Sequence, residues 1–75
     1  MTATVEGTNI PVENGAAVGQ NVTVKSNKPA RFIVNGGAPT DRANFVKLRA
    51  NGTYTVQAVD LLGNRSEVFT VTVQK

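Results

Sequence analysis

Short runs in which apolar and polar residues alternate, separated by Gly, Pro and Asn, recur along the whole chain. The clearest run covers residues 53 to 60, where Tyr54, Val56 and Ala58 share one face and the intervening residues share the other. Alternation with a period of two predicts a β-strand with one buried face. No segment keeps the 3.6-residue period of a helix, so the pattern predicts an all-β domain.

Six or seven strands are predicted, and turn residues set their boundaries. Pro11 cannot donate to a strand ladder, which places a weak first strand at an edge. Residues 27 to 29, Asn-Lys-Pro, are expected to turn the chain, and residues 61 to 64 to connect a hairpin. The strands cover residues 3 to 12 (a piece that can split in two), 21 to 26, 30 to 35, 44 to 50, 53 to 60 and 66 to 74. The alternation points these side chains inward: Val22, Val24, Phe32, Val34, Val46, Leu48, Tyr54, Val56, Ala58, Phe69, Val71 and Val73.

Length and composition limit the chemistry. A chain of 75 residues allows one domain with one small core. It contains no Cys and no His, so a disulfide and the usual zinc ligands are excluded as sources of stability. The commonest general base and the strongest nucleophile are missing for the same reason. We therefore expect a protein that is not an enzyme and binds no cofactor or metal.

The charge pattern bears on partners. The net charge of +3 is spread along the chain without a block of like charge, and there are one Tyr and three Phe. Nucleic-acid-binding domains combine clustered Lys and Arg with stacking aromatic side chains. No run of 18 apolar residues occurs. Neither a nucleic-acid partner nor insertion into a membrane is expected.

Residues 51 to 73, NGTYTVQAVDLLGNRSEVFTVTV, resemble the closing strands of bacterial immunoglobulin-like (Ig-like) domains. Those domains commonly end in a Gly-Thr-Tyr-Thr-Val strand, an Asp-x-x-Gly-Asn hairpin and a last strand rich in Val and Thr. Residues 21 to 24 and 31 to 36 are similar to the opening strands of the family. The resemblance extends over residues 14 to 75, with residues 1 to 13 as a weak N-terminal edge region. It implies a single Ig-like β-sandwich of six to seven strands without a disulfide.

Four residues are predicted to have structural roles. Tyr54 lies two residues before Val56, which is the spacing of a tyrosine corner relative to the Cys of antibody domains. Val56, opposite Val22 or Val24, would fill the place of that Cys. Asp60 is expected to cap the hairpin through an Asx-type bond, with Gly63 or Asn64 in the left-handed conformation. Ca²⁺ binding at this loop is the weaker alternative, because a site needs six to eight oxygens.

The outward residues of the two sheets differ in character. The sheet of the first, second and fourth strands would expose Thr23, Lys25, Lys47 and Arg49, a basic and polar face. Apart from Arg31, the other sheet would expose an uncharged and partly apolar face, which is typical of a docking surface. Scattered apolar residues on a small sheet are also ordinary, and that alternative stays open. The predicted interaction face consists of Ile33, Gln57, Val59, Val68 and Thr70, with Phe45 as a further exposed contact.

The resemblance implies spacing, display or adhesion, and it supplies no catalytic residues. The first functional hypothesis is a small phage virion accessory protein, a capsid or tail decoration, located on the virion surface. The alternative is a spacer or adhesion module of a bacterial cell-surface or secreted protein, such as a glycoside hydrolase or an S-layer or cell-wall protein. The start at Met1 without a signal peptide slightly favours the first.

A protein partner, either a coat protein or a neighbouring domain, is expected in both cases. Cell-wall or other polysaccharide is a second option. It is weaker because the chain has no Trp and most of its Phe residues occupy core positions.

Overall fold

A computed structural model describes all 75 residues and contains six strands and no helix. This confirms the prediction of an all-β chain. The strands form a nearly barrel-shaped sheet. Their bounds are β1 (Thr2–Val5), β2 (Ala16–Val18), β3 (Val22–Val34), β4 (Ala43–Leu48), β5 (Gly52–Val59) and β6 (Phe69–Val73).

The long strand β3 links the two halves of the sheet. Its first half pairs with β1 on one side and β4 on the other, and residues 31 to 34 pair with β5. β5 then pairs with β6, and β6 with β2. The β2–β6 pair is parallel and the other four are antiparallel. Because one strand carries both halves, the sheet can curl around a common core.

The predicted turn at residues 27 to 29 is wrong. β3 continues through these residues, and its register against β4 shifts between Lys25 and Ala30. Pro29 has no N–H and cannot contribute to the ladder, but its backbone still suits an extended strand at an irregular position. A bulge bends a strand and increases its twist. The sequence signal therefore marks a bend from one half-sheet into the other.

The N-terminal region contributes more than its weak pattern predicts. β1 ends at Val5, and the second part of the predicted first strand is reduced to a bridge between Thr4 and Pro11 and a hydrogen bond from Val12 N to Ala3 O. β2 is not predicted from the sequence, since Ala16–Val18 contains one β-branched residue and no alternation.

The core lies between the two half-sheets. Every side chain predicted to point inward either belongs to the buried cluster or packs against it. Val22, Val24, Phe32, Val56 and Val71 are completely buried, at 0% exposure. The N-terminal region adds Ala3, Val5 and Val12 to the same cluster.

Thr23 is buried, at 6% exposure, although the alternation predicts it on the outside. It sits in the middle strand of its half-sheet, in register with Thr4 of β1 and Lys47 of β4. Glu6 and Phe45 line the same shallow cleft over this position. The long side chains of these neighbours therefore cover Thr23, which the strand period alone predicts to be exposed.

Candidate interaction surface

Ile33 cannot belong to an exposed interaction face, because it is 7% exposed. This corrects its predicted placement in solvent. It lies outside the main core cluster, on the strand next to fully buried Phe32. The connection after β3 folds back along this strand, with Thr40 N–H donating to Phe32 O and Phe32 N–H donating to Thr40 Oγ1. The returning chain therefore covers an edge of β3 that the strand alternation alone predicts to be exposed.

The other predicted contacts do not form one continuous apolar patch. Gln57, Val59 and Thr70 are partly buried, whereas Val68 is 46% exposed. Phe45 is 50% exposed, but it lies on β4 in the opposite half-sheet. The structure therefore leaves Val68 as the accessible apolar member of the predicted face and places Phe45 on a separate surface.

Tyr54 and Val56 hold the start of β5 in place. The Tyr54 hydroxyl donates to Ala50 O at 2.6 Å, which ties β5 to the short connection from β4. Val56, two residues further along, is completely buried. The hydrogen bond back to the chain a few residues upstream is the contact expected at a tyrosine corner.

Residues 60 to 64, the first part of the connection from β5 to β6, form a hydrogen-bonded loop that we call the tip loop. The Oδ1 atom of Asp60 accepts from the backbone N–H of Leu62 and of Asn64, both at 2.9 Å. Its Oδ2 atom accepts from Asn64 Nδ2 at 3.2 Å. Gly63 has φ of 84°, a conformation that side chains disfavour. The Asp60 carboxylate is thus committed to fixing the backbone of the loop.

These hydrogen bonds stabilise the charged form of Asp60. The backbone N–H of Asn64 is the main cause of a lowered Asp60 pKa, and partial desolvation opposes it. Folding therefore favours the carboxylate over the acid.

Acid is expected to loosen the tip loop through Asp60. Because its pKa is lower in the folded than in the unfolded state, Asp60 contributes its full stability above the unfolded pKa of about 3.9. That contribution is lost as the pH falls through the folded value. Asp60→Asn keeps one carbonyl acceptor and removes the charge, so its free energy of unfolding should depend less on acid than that of the wild type. Urea unfolding between about pH 6 and pH 2 measures this.

Glu67→Gln is the matched control, since it removes the same charge from an exposed side chain outside the loop. Equal acid dependence of the Asp60→Asn and Glu67→Gln proteins would contradict the role given to Asp60.

Two neighbouring leucines at the tip loop are the most exposed large apolar side chains of the chain. Leu61 is 73% exposed and Leu62 is 87% exposed. The sequence pattern predicts them only as part of a connection and not as a surface feature. The available signal was a pair of leucines between two turn residues, Asp60 and Gly63, where polar residues are the rule.

Basic side chains surround the two leucines. A cleft of about 370 Å³ is lined by Lys28, Pro29, Arg42 and Asp60 together with Leu61 and Leu62. Arg31 lines a second cleft of about 390 Å³, which Arg42 and Leu61 also line, and Arg65 lines a third cleft of about 440 Å³ together with Lys28. We refer to Lys28, Arg31, Arg42 and Arg65 as the tip cations.

The ion pairs of the chain lie elsewhere, at Glu6. Its carboxylate contacts Lys47 Nζ at 3.6 Å and Arg49 Nη2 at 3.0 Å. Hydrogen bonds from Asn21 and then Arg49 are the leading causes that hold the pKa of Glu6 below its usual range. The basic face predicted around Lys47 and Arg49 is thus partly neutralised.

The structure contains no helix long and apolar enough to cross a membrane. It also contains no group of three or more Asp, Glu, His or Cys side chains that could hold a metal ion. Comparison of the chain with protein-family models, with curated proteins and with solved structures finds no match.

Proposed function

We propose that this chain is a non-catalytic Ig-like domain with a structural or display role on an external surface, acting through contacts with protein. The observation that carries the proposal is the strand pairing around β3. Pairing of β3 with β1 and β4 corresponds to the A-B-E sheet of an Ig-like sandwich. Pairing of β3 with β5, and of β5 with β6, corresponds to its C-F-G sheet.

The tyrosine corner supports the same assignment. Tyr54 Oη bonds to Ala50 O at the start of β5, and Val56 is buried in the position of the antibody Cys. One departure is that the B and C segments are parts of a single continuous strand, Val22–Val34. The proposed domain is thus a compact variant in which a bulged strand replaces two strands and a turn.

The first proposed setting is a phage virion, where the domain would decorate capsid or tail. Its support is the resemblance of residues 14 to 75 to Ig-like domains that occur in virion proteins. A coat protein would then be the partner, and Val68 and Phe45 are the accessible apolar side chains among the predicted contacts.

The second proposed setting, a spacer or adhesion module, is favoured by the positions of the two chain ends. Met1 lines a cleft with Ala58, Asp60 and Ser66, beyond the end of β5. Lys75 N–H donates to the Asn51 side chain, immediately before β5 begins. The two ends are separated by the length of β5, eight residues, or about 25 Å at the rise of a strand. Opposite ends allow neighbouring domains to follow in line.

Fractionation of the organism that carries the gene tests this proposal. An antibody against the chain should detect it on purified phage particles in the first setting, or in the cell-wall or secreted fraction in the second. Recovery exclusively as a free protein inside the cell would overturn the external role.

The partner contact can be tested on the same particles or walls. Val68→Lys should reduce retention of the purified domain, since it places a charge in an exposed apolar contact. Asn9→Lys, at an exposed position outside the predicted face, is the matched control and should leave retention unchanged. Thermal melting of both variants separates lost contact from lost folding. Full retention of Val68→Lys would remove this face from the interface.

A further inference from the structure

We propose that the tip loop and the tip cations form a second docking site, for an acidic and apolar segment of a partner protein. The two exposed leucines and the four tip cations lie together at one end of the molecule. This surface adjoins the predicted interaction face at Val59, which lines a cleft together with Arg31 and Leu61. It belongs to the domain in either proposed setting.

Charge complementarity defines the partner. Both ion pairs of the chain involve Glu6, so none of the tip cations has a carboxylate partner within the domain. The carboxylate nearest to the leucines is Asp60, and the tip loop occupies both of its oxygens. The tip therefore presents unpaired positive charge around an apolar centre, which is complementary to carboxylates that flank an apolar side chain.

The rigidity of the tip loop suits it to binding. Leu62 projects from a backbone that is fixed by two hydrogen bonds to Asp60 Oδ1 and by further bonds between Asp60 and Asn64 and from Gly63 N to Asp60 O. Anchors that are ordered before binding lose less conformational entropy on association. An apolar centre surrounded by a polar rim is the usual arrangement of a protein–protein interface.

The shape of the site favours a polypeptide over a lipid surface. Clefts of about 370 and 390 Å³ both adjoin Leu61 and share Pro29, Arg42 and Asp60 as walls. A protruding leucine beside a concave wall fits an irregular protein surface, because a side chain of the partner can enter the cleft. A flat bilayer would leave such clefts unfilled.

Binding of defined probes to the purified domain tests the proposal. The first probe is a fluorescein-labelled peptide in which Glu alternates with Leu and Phe, followed by fluorescence anisotropy. We expect saturable binding that weakens with added salt. In ¹⁵N NMR spectra the largest shift changes should fall at residues 60 to 64. The absence of binding at peptide concentrations up to about 1 mM would overturn the proposal.

Two double variants separate the apolar and the charged contributions. Peptide binding should weaken at least about tenfold in each of two double variants, Leu61→Ser with Leu62→Ser and Lys28→Gln with Arg42→Gln. Ile10→Ser, another exposed apolar position, is the control for the leucines. Lys47→Gln with Arg49→Gln removes two cations at Glu6 and is the control for charge. Equal losses in the controls and the tip variants would overturn the site.

Two further probes distinguish other occupants. Vesicles of phosphatidylcholine with about one third phosphatidylserine test an anionic bilayer, for which cationic and apolar groups act together. A single-stranded oligonucleotide tests binding by charge alone. Binding to vesicles or to the oligonucleotide that exceeds binding to the peptide, and that the tip variants abolish, would replace the protein partner with that ligand.

Discussion

Replacing Phe32 with Ala is expected to unfold most of the protein at room temperature or to bring it close to that point. Phe32 is the largest of the completely buried side chains, and it lies where β3 passes into the second half-sheet. Truncating a buried Phe to Ala costs about 3 to 5 kcal/mol, the sum of lost transfer free energy and the cavity left behind. A domain of 75 residues has a total stability of about 4 to 11 kcal/mol at the usual value per residue. Urea unfolding followed by circular dichroism measures the loss.

Phe45→Ala is the matched control for Phe32→Ala, because it makes the same chemical change at a side chain that is 50% exposed. Its neighbour is Lys47, whose Nζ lies 5.5 Å from the ring centroid, so the variant should lose about 1 kcal/mol or less. Similar losses for the two variants would contradict the placement of the core between the half-sheets.

The sequence predicted the second half of the fold better than the first. β5 is eight residues long with strict alternation, and a five-residue loop with turn chemistry leads towards β6, so local signals and tertiary pairing agree. At β3 they disagree. Pro29 is a strong local breaker, yet β3 continues past it because pairing with β4 resumes at Ala30. Local propensity could mark the irregularity but not decide between a turn and a bulge.

Side-chain exposure was less predictable than strand position. Alternation gives the face of a residue, whereas burial depends on what the rest of the chain places over that face. Ile33 is buried on a strand whose edge pairs with the returning chain at Thr40, and Thr23 is buried beside the side chains of Glu6 and Phe45. Conversely, Leu61 and Leu62 are exposed because the tip loop extends beyond the sheet. The turn residues around them predict a connection, but they do not predict how far the two side chains reach into solvent.

The remaining large expectation concerns the N-terminal region, which the sequence resemblance treats as a weak edge. A chain that begins at residue 14 should fail to form a stable domain. The deletion removes β1 and with it Ala3, Val5 and Val12 from the core cluster. Burial of the two Val side chains is worth about 3 to 6 kcal/mol at the usual value for a full-size aliphatic side chain. It also leaves the first half of β3 without one of its two neighbours.

Two point variants of the full-length chain test the same contribution of the N-terminal region without a deletion. Val12→Ala, at 7% exposure, should lower the midpoint of urea unfolding clearly, whereas Ile10→Ala, at 58% exposure, should change it little. The deleted chain should show collapsed amide dispersion in its NMR spectrum and no cooperative melting transition. A cooperative transition near that of the full-length protein would show that residues 14 to 75 are sufficient. The core between the half-sheets would then depend on β2 to β6 alone, and β1 would be an appended edge strand.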